Sequence, residues 1–211
     1  MAFATRHVPQ LDLFATNWLR DHGLTPTDLL KVTNADQFLA LGSRLPPTAQ
    51  LIDGEVVVQN SLTLRHQHAV KMLVRRIDEW IEAAPGRGQV GLSINTKVDG
   101  RNVYTPDVWW YCEFRKPGLD GSLLEHQPDL VVEVLSPSTR RYDLGAKRVR
   151  YQQRGVVEYW TVDPRKRCAL IWRRSKPGAD DFDLRFELTE GDGLASPLLP
   201  GFQAPLGDVI G

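Results

Sequence analysis

The sequence of 211 residues has only two cysteines, Cys112 and Cys168. They stand far apart in no metal-ligand spacing, which excludes a zinc cage built on thiolates. Both fall in strand-like segments, where a small apolar residue in a reducing compartment is expected rather than a disulfide. Net charge is missing too: 26 Lys and Arg balance 26 Asp and Glu, so overall charge does not favour nucleic acid or membrane. No stretch approaches the ~20 apolar residues of a membrane span, and the N-terminus lacks the charged-then-apolar pattern of a secretory signal. A cytoplasmic protein with no membrane contact is the expectation. Neither G-x-S-x-G, a P-loop nor H-E-x-x-H occurs, so those hydrolase signatures are absent as well.

What is present is organised around the run PDLVVEVLSPS, Pro128 to Ser138. Its Val-rich centre, Leu130 to Leu135, reads as a strand buried on both faces, and Glu133 sits in the middle of it. An unpaired buried carboxylate costs several kcal/mol, so a cation must meet it. If Ser138 or Thr139 caps a helix that doubles back along the sheet, Lys147 comes level with Glu133, because ~3.3 Å per strand residue and ~1.5 Å per helical residue bring both to a similar height. Two readings of Lys147 stay open. It shares a stripe with Leu144 and Tyr151, which directs it inward; it is also four residues from Asp143, which allows a surface ion pair.

The remaining elements are read in order. Residues 1–32 form an N-terminal extension, helical or partly disordered, followed by one domain over 33–211. Asn34 or Thr33 caps a short helix, and Asp53-Gly54 turns a hairpin whose second arm starts at Glu55. Leu62 to Ala83 is the longest helix candidate, with His66 in its first turns. A second Asp-Gly turn at Asp99-Gly100 precedes Pro106-Asp107, which opens the strand Val108 to Cys112. Strands at 158–164, 169–172 and 182–188 follow, and 191–211 reads as loop, with Leu198 to Phe202 packing back on the sheet. The expected fold is α/β, of α+β type: a mixed central sheet flanked by helices, with additional hairpins.

Asp107 and Glu133 fall on consecutive strands, and pairing of those strands brings two carboxylates together. Like charges repel there; a divalent cation reverses the sign, and few oxygen ligands with room for water suit Mg²⁺ or Mn²⁺. Between Arg140 and Lys176 twelve basic residues face three acids. Such a patch attracts phosphate, or it is a solvated face balanced by the acidic stretch from Asp180 to Asp192.

Gly54-Glu55, Pro106-Asp107, PDLVVEVLSPS, Lys147 with Tyr151, and GVVEYWTVDP from Gly155 to Pro164 together resemble the Uma2 family of bacterial restriction-endonuclease-like proteins, within the PD-(D/E)XK nuclease superfamily. The resemblance covers about residues 35 to 205. It implies a restriction-endonuclease-like core and a metal-dependent endonuclease. Asp107 and Glu133 would hold Mg²⁺ or Mn²⁺ with the Val134 carbonyl as a further ligand, and Glu55 would be the acid ahead of the sheet. The superfamily lysine normally lies two residues after the Glu; Leu135 stands there, and Lys147 on the next helix matches the family's substitute. Related sequences often have Glu where this one has Gln50. His66, Arg140, Arg141 and Arg148 would contact nucleic acid, DNA before RNA, and analogy with nucleases that cut both strands extends to a homodimer. A non-catalytic nucleic-acid-binding or protein-interaction module on the same fold is the rival reading.

Overall fold

The computed structural model describes residues 8–59, 62–176 and 178–211. The chain runs through α1 (Leu13–Asp21), α2 (Ala35–Leu41), β1 (Ala49–Ile52), β2 (Glu55–Val58), α3 (Leu64–Glu82), β3 (Gln89–Leu92), β4 (Asn95–Asp99), β5 (Asn102–Tyr104), β6 (Val108–Tyr111), β7 (Leu123–Leu124) and β8 (Leu130–Val134). It continues through α4 (Arg140–Tyr142), a single wide π turn (Asp143–Lys147) and α5 (Arg148–Gln153). Then come β9 (Glu158–Asp163), β10 (Cys168–Arg173), β11 (Leu184–Thr189), β12 (Gly193–Ser196), β13 (Leu199–Pro205) and α6 (Leu206–Ile210). Among the described residues no helix is long and apolar enough to cross a membrane.

Local chemistry sets the boundaries. Asn34 caps α2 by accepting from the Gln37 amide at 2.9 Å, and Thr63 caps α3 by accepting from the His66 amide at 3.2 Å. The β1–β2 hairpin turns on Asp53 and Gly54, with φ of 50° and 81°, the left-handed pair that a tight hairpin needs.

The main sheet has the order β11-β10-β9-β8-β6-β3. Among the described residues only β8 and β9 run parallel within it, joined by the crossover that contains α4, the π turn and α5; its other pairings are antiparallel. A second sheet, β2-β1-β5-β4-β7, is antiparallel apart from the β4–β7 pair. The result is the α+β class expected, with mixed sheets and flanking helices.

Both faces of the main sheet are covered, which explains the unbroken apolar run of β8. On one face Leu130, Val132 and Val134 pack with Ala69, Leu73 and Ile77 of α3 and with Trp160 and Phe202. On the other, Val131 packs with Ile52, Tyr104, Tyr151 and Tyr159. Side chains alternate along a strand, so Glu133 shares the face of Val131. Beside this core, Leu19 and Leu29 of the N-terminal extension pack with Phe38, Leu51 and Val56.

Two segments differ from the sequence reading. The helix after β8 is not a continuous α-helix but is interrupted by the wide turn. Residues 191–211 are not loop: they form the β12–β13 hairpin and α6 and bury Leu194, Leu206 and Val209, while Leu199 and Phe202 pack on the sheet as expected. Short, Gly- and Ser-containing strands carry little propensity of their own, and only tertiary packing makes them regular.

Candidate active site

The register of β6 on β8 places Val108 opposite Val132 and Trp110 opposite Leu130. Carried one residue beyond the strand, the same register would set Asp107 opposite Glu133. Directly opposed residues point to the same face. The Asp107 carboxylate continues across to β8, where its Oδ2 accepts the Val134 amide at 2.7 Å.

Lys147 arrives from the crossover. Its Nζ lies 3.0 Å from Glu133 Oε1 and 2.9 Å from Asp143 Oδ1. Its ammonium also stands 5.7 Å from the centroid of the Tyr104 ring. All three ionic side chains are at most 3% exposed. The Lys147–Asp143 pair weighed as a surface bridge is therefore real but buried, and the inward direction of Lys147 holds at the same time. The two residues are the ends of the wide turn, and the Tyr159 hydroxyl ties that turn to the sheet by donating to the Asp143 carbonyl at 2.9 Å. Single π turns inside helices recur at functional sites.

His66 comes from the first turn of α3 and is buried, with Nε2 3.2 Å from Asp107 Oδ2. Burial by itself lowers its pKa, but the hydrogen bond to Asp107 and that carboxylate's field, helped by the Val134 backbone, leave it raised. A raised folded pKa means that the folded state keeps a proton the unfolded state releases. The stabilisation is therefore complete below the unfolded value near 6.5 and is lost as pH rises through the folded one. His66→Gln should cost about 1–3 kcal/mol at pH 6 and less at pH 9, read by urea unfolding; an equal cost at both would show that charge has no part in the contact.

Burial pushes the Glu133 carboxyl well above its usual range, with Asp143 and Asp107 adding to the shift and Lys147 opposing it. Burial opposes the charge on Lys147, yet the two carboxylates beside it raise its pKa strongly. Lys147 is thus a fixed cation and not a proton acceptor. Glu133 and Asp143 share one ammonium here, while Asp107 pairs with His66. The contrast with Glu158 is instructive. That residue is equally buried, but it is satisfied by Arg173 at 2.8 and 2.9 Å, the Ser196 hydroxyl at 2.7 Å and the Trp160 indole at 2.6 Å. Glu158 is a closed structural network; Glu133 and Asp143 have one ammonium between them.

A family model described as "Putative restriction endonuclease" matches residues 35–207. The chain belongs to the Uma2 family. Among solved structures it is similar to a protein of Anabaena variabilis titled a putative nuclease belonging to DUF820, at 17% identity and a TM-score of 0.68, over 83% of this chain and 96% of that one. That likeness shows the fold. No curated protein matches the chain.

Against this background the Uma2 chain brings Asp107, Glu133, Val134 and Lys147 together. Glu55 is not brought to them: it is exposed at the turn end of the β1–β2 hairpin, in a surface groove with Ser138, Arg141 and Tyr142. Gln50, two residues further from that turn, is buried, and its Oε1 accepts from the Thr105 amide at 3.3 Å, two residues before Asp107. Of the residues expected on nucleic acid, His66 is buried in the site, Arg140 pairs with Asp163, and Arg148 stands over the Trp172 ring at 5.6 Å. Arg141 remains exposed, above the Tyr142 ring at 4.5 Å. The basic run from Arg140 is also largely consumed internally, since Arg150, Arg167 and Arg173 hold acids as well. Sequence reasoning missed Asp143 as a site residue, although it lies on the same helical face as Lys147 and Tyr151, at four-residue intervals. It also missed Arg65 and Arg165, which flank a cleft of about 250 Å³ that is lined by His66 and Ser136.

A divalent ion was implied by the resemblance, and the donor set fits one in chemical kind. The site offers hard carboxylate oxygens from neighbouring strands, two acids sharing one ammonium, and the buried Tyr151 hydroxyl, which has no hydrogen-bond partner among the described residues. Among those residues no three His, Cys, Asp or Glu side chains form a ready-made cage. Mg²⁺ is commonly bound through one or two carboxylates with water completing its shell, so such a cage is not required.

Proposed function

We propose that the chain is a metal-dependent nuclease hydrolysing phosphodiester bonds in nucleic acid, DNA before RNA, with Asp107, Glu133 and the Val134 carbonyl holding Mg²⁺ or Mn²⁺. The observation that carries the reading is an excess of acid at the ends of two neighbouring strands: Glu133 and Asp143 share the buried ammonium of Lys147, and half-buried Asp107 on the adjoining strand has His66 as its ionic partner among the described residues. A structural role would be served as well by apolar residues, whereas a cation-binding role needs this surplus. When bound, the ion would polarise a phosphoryl oxygen and lower the pKa of a water.

The chain's own residues supply the rest. His66 and the Val134 amide fix Asp107 in place. Asp143 and Glu133 fix Lys147, whose permanent charge faces the site and can offset negative charge developing on a phosphate. The cleft beside His66 lies between Arg65 and Arg165, both exposed and neither in an ion pair among the described residues. Two such guanidinium groups suit backbone phosphates and carry no base specificity. A non-catalytic reading draws on one observation: Asp107 and Glu133 already have protein partners in His66 and Lys147.

The experiment is cleavage of supercoiled plasmid and of single-stranded oligonucleotides with Mg²⁺, Mn²⁺ or EDTA. Nicking or linearisation that needs the metal is expected. Binding without turnover under all metal conditions would favour the non-catalytic module.

A further inference from the structure

Alongside α3 runs a groove of about 670 Å³ that belongs to none of the chemistry above along most of its length. Val70 and Val74 line it from the helix, and Leu92, half exposed at 52%, lines it from β3. β3 is also the edge strand of the main sheet, with β6 as its sole neighbour there. Apolar lining next to a free strand edge is a surface that proteins normally cover.

The charges on this side of α3 are arranged against the helix's own interest. Lys71 and Arg75 come first, Asp78, Glu79 and Glu82 last, and the helix has no acid in its first turn and no base in its last. A helix dipole favours the reverse order. Burial raises the Asp78 carboxyl pKa, and Glu82 one turn on adds to it. Arg75 has an internal partner in Glu79 at 2.7 Å, while Lys71, Asp78 and Glu82 have no ion pair among the described residues. The four positions 71, 75, 78 and 82 are spaced by four, three and four residues, with the sign inverted about the middle. That is the pattern of a surface complementary to itself.

We propose that this groove is the seam of a homodimer, in which α3 of one protomer packs antiparallel on α3 of its partner about a two-fold axis passing between Arg76 and Ile77. Lys71 then meets Glu82 of the partner subunit, Arg75 meets Asp78 of the partner subunit, and the same contacts recur by symmetry, as an isologous interface requires. Val70, Val74 and Leu92 form its apolar centre and the four charges its rim, the usual anatomy of such surfaces. An unrelated partner would have no need of this sign inversion. The inference does not depend on the nuclease reading.

Sedimentation equilibrium over a range of concentrations tests it. The full chain should weigh twice its 23.8 kDa. The exposed double replacements Lys71→Glu with Arg75→Glu, and Asp78→Lys with Glu82→Lys, should each weaken self-association about a hundredfold, because every attraction at the rim becomes a repulsion. An equimolar mixture of the two should associate as tightly as wild type, and so should a chain carrying all four changes. Leu92→Glu, on a different element, should weaken association comparably. A wild-type chain that stays monomeric at millimolar concentration overturns the proposal. So does a dimer that either double variant leaves unchanged, or double variants that fail to restore one another.

Discussion

Glu133→Gln gives a protein that folds normally and cleaves about a thousandfold more slowly. The variant keeps the size and hydrogen-bonding capacity of the side chain but removes one of two carboxylates proposed as metal ligands. Such an ion supplies several kcal/mol of stabilisation to the developing charge, and roughly 4 kcal/mol corresponds to a factor of a thousand. Stability should respond differently. Lys147 retains Asp143 at 2.9 Å, and a cluster with surplus acid loses one negative charge, so the midpoint of thermal unfolding should stay or rise. The pH dependence supplies a separate signature. Glu133 binds its proton more tightly in the folded chain than in the unfolded one, so wild-type stability falls as pH climbs above the ordinary carboxyl value near 4.3. Glutamine cannot ionise, and that part of the slope should vanish. Cleavage within tenfold of wild type would remove Glu133 from the proposed set of metal ligands.

Lys147→Met should be the most destabilising single change in the site. It leaves Glu133 and Asp143 buried with no compensating charge, and breaking a buried pair in this way costs about 3–5 kcal/mol. Against a total of roughly 5–15 kcal/mol, that is a large fraction of what holds the fold. Adding Glu133→Gln and Asp143→Asn to Lys147→Met should recover most of the loss, because no uncompensated charge then remains. Urea unfolding of the single and triple variants separates this from a packing effect. A triple variant as unstable as the single one would mean that the methylene stem of Lys147, and not its ammonium, matters.

Much of the site is legible in the sequence because it depends on alternation and on length. A buried strand with one acid in its centre demands a cation, and the rise per residue of strand and helix brings Lys147 level with Glu133. Asp107 follows from pairing of neighbouring strands. Asp143 was less legible for a physical reason: an acid four residues before a lysine looks the same whether the pair faces water or the core. The wide turn hides in the same stretch. Its extra residue shifts the phase of the helix, and the sequence accordingly shows two apolar stripes, Leu144–Lys147–Tyr151 and Tyr142–Ala146–Val149, where a regular helix would show one. Glu55 and the arginines after Ser138 were placed by resemblance and composition, and neither carries direction. Whether Arg140 faces a phosphate or Asp163 is decided by β9, far along the chain.

The single parallel pair of the main sheet has a last consequence. Strands β8 and β9 can lie parallel only if the intervening chain crosses over, and that crossover is the segment bearing Asp143 and Lys147. One contiguous stretch thus assembles the lysine clamp on Glu133 by itself. Asp107 is the outsider, delivered by β6 from the other flank of β8. Slipping β6 by one residue would turn its carboxylate to the opposite face while leaving the clamp whole. Such a chain could be compact and hold its ion pair, yet have lost one of the two acids proposed to hold the metal.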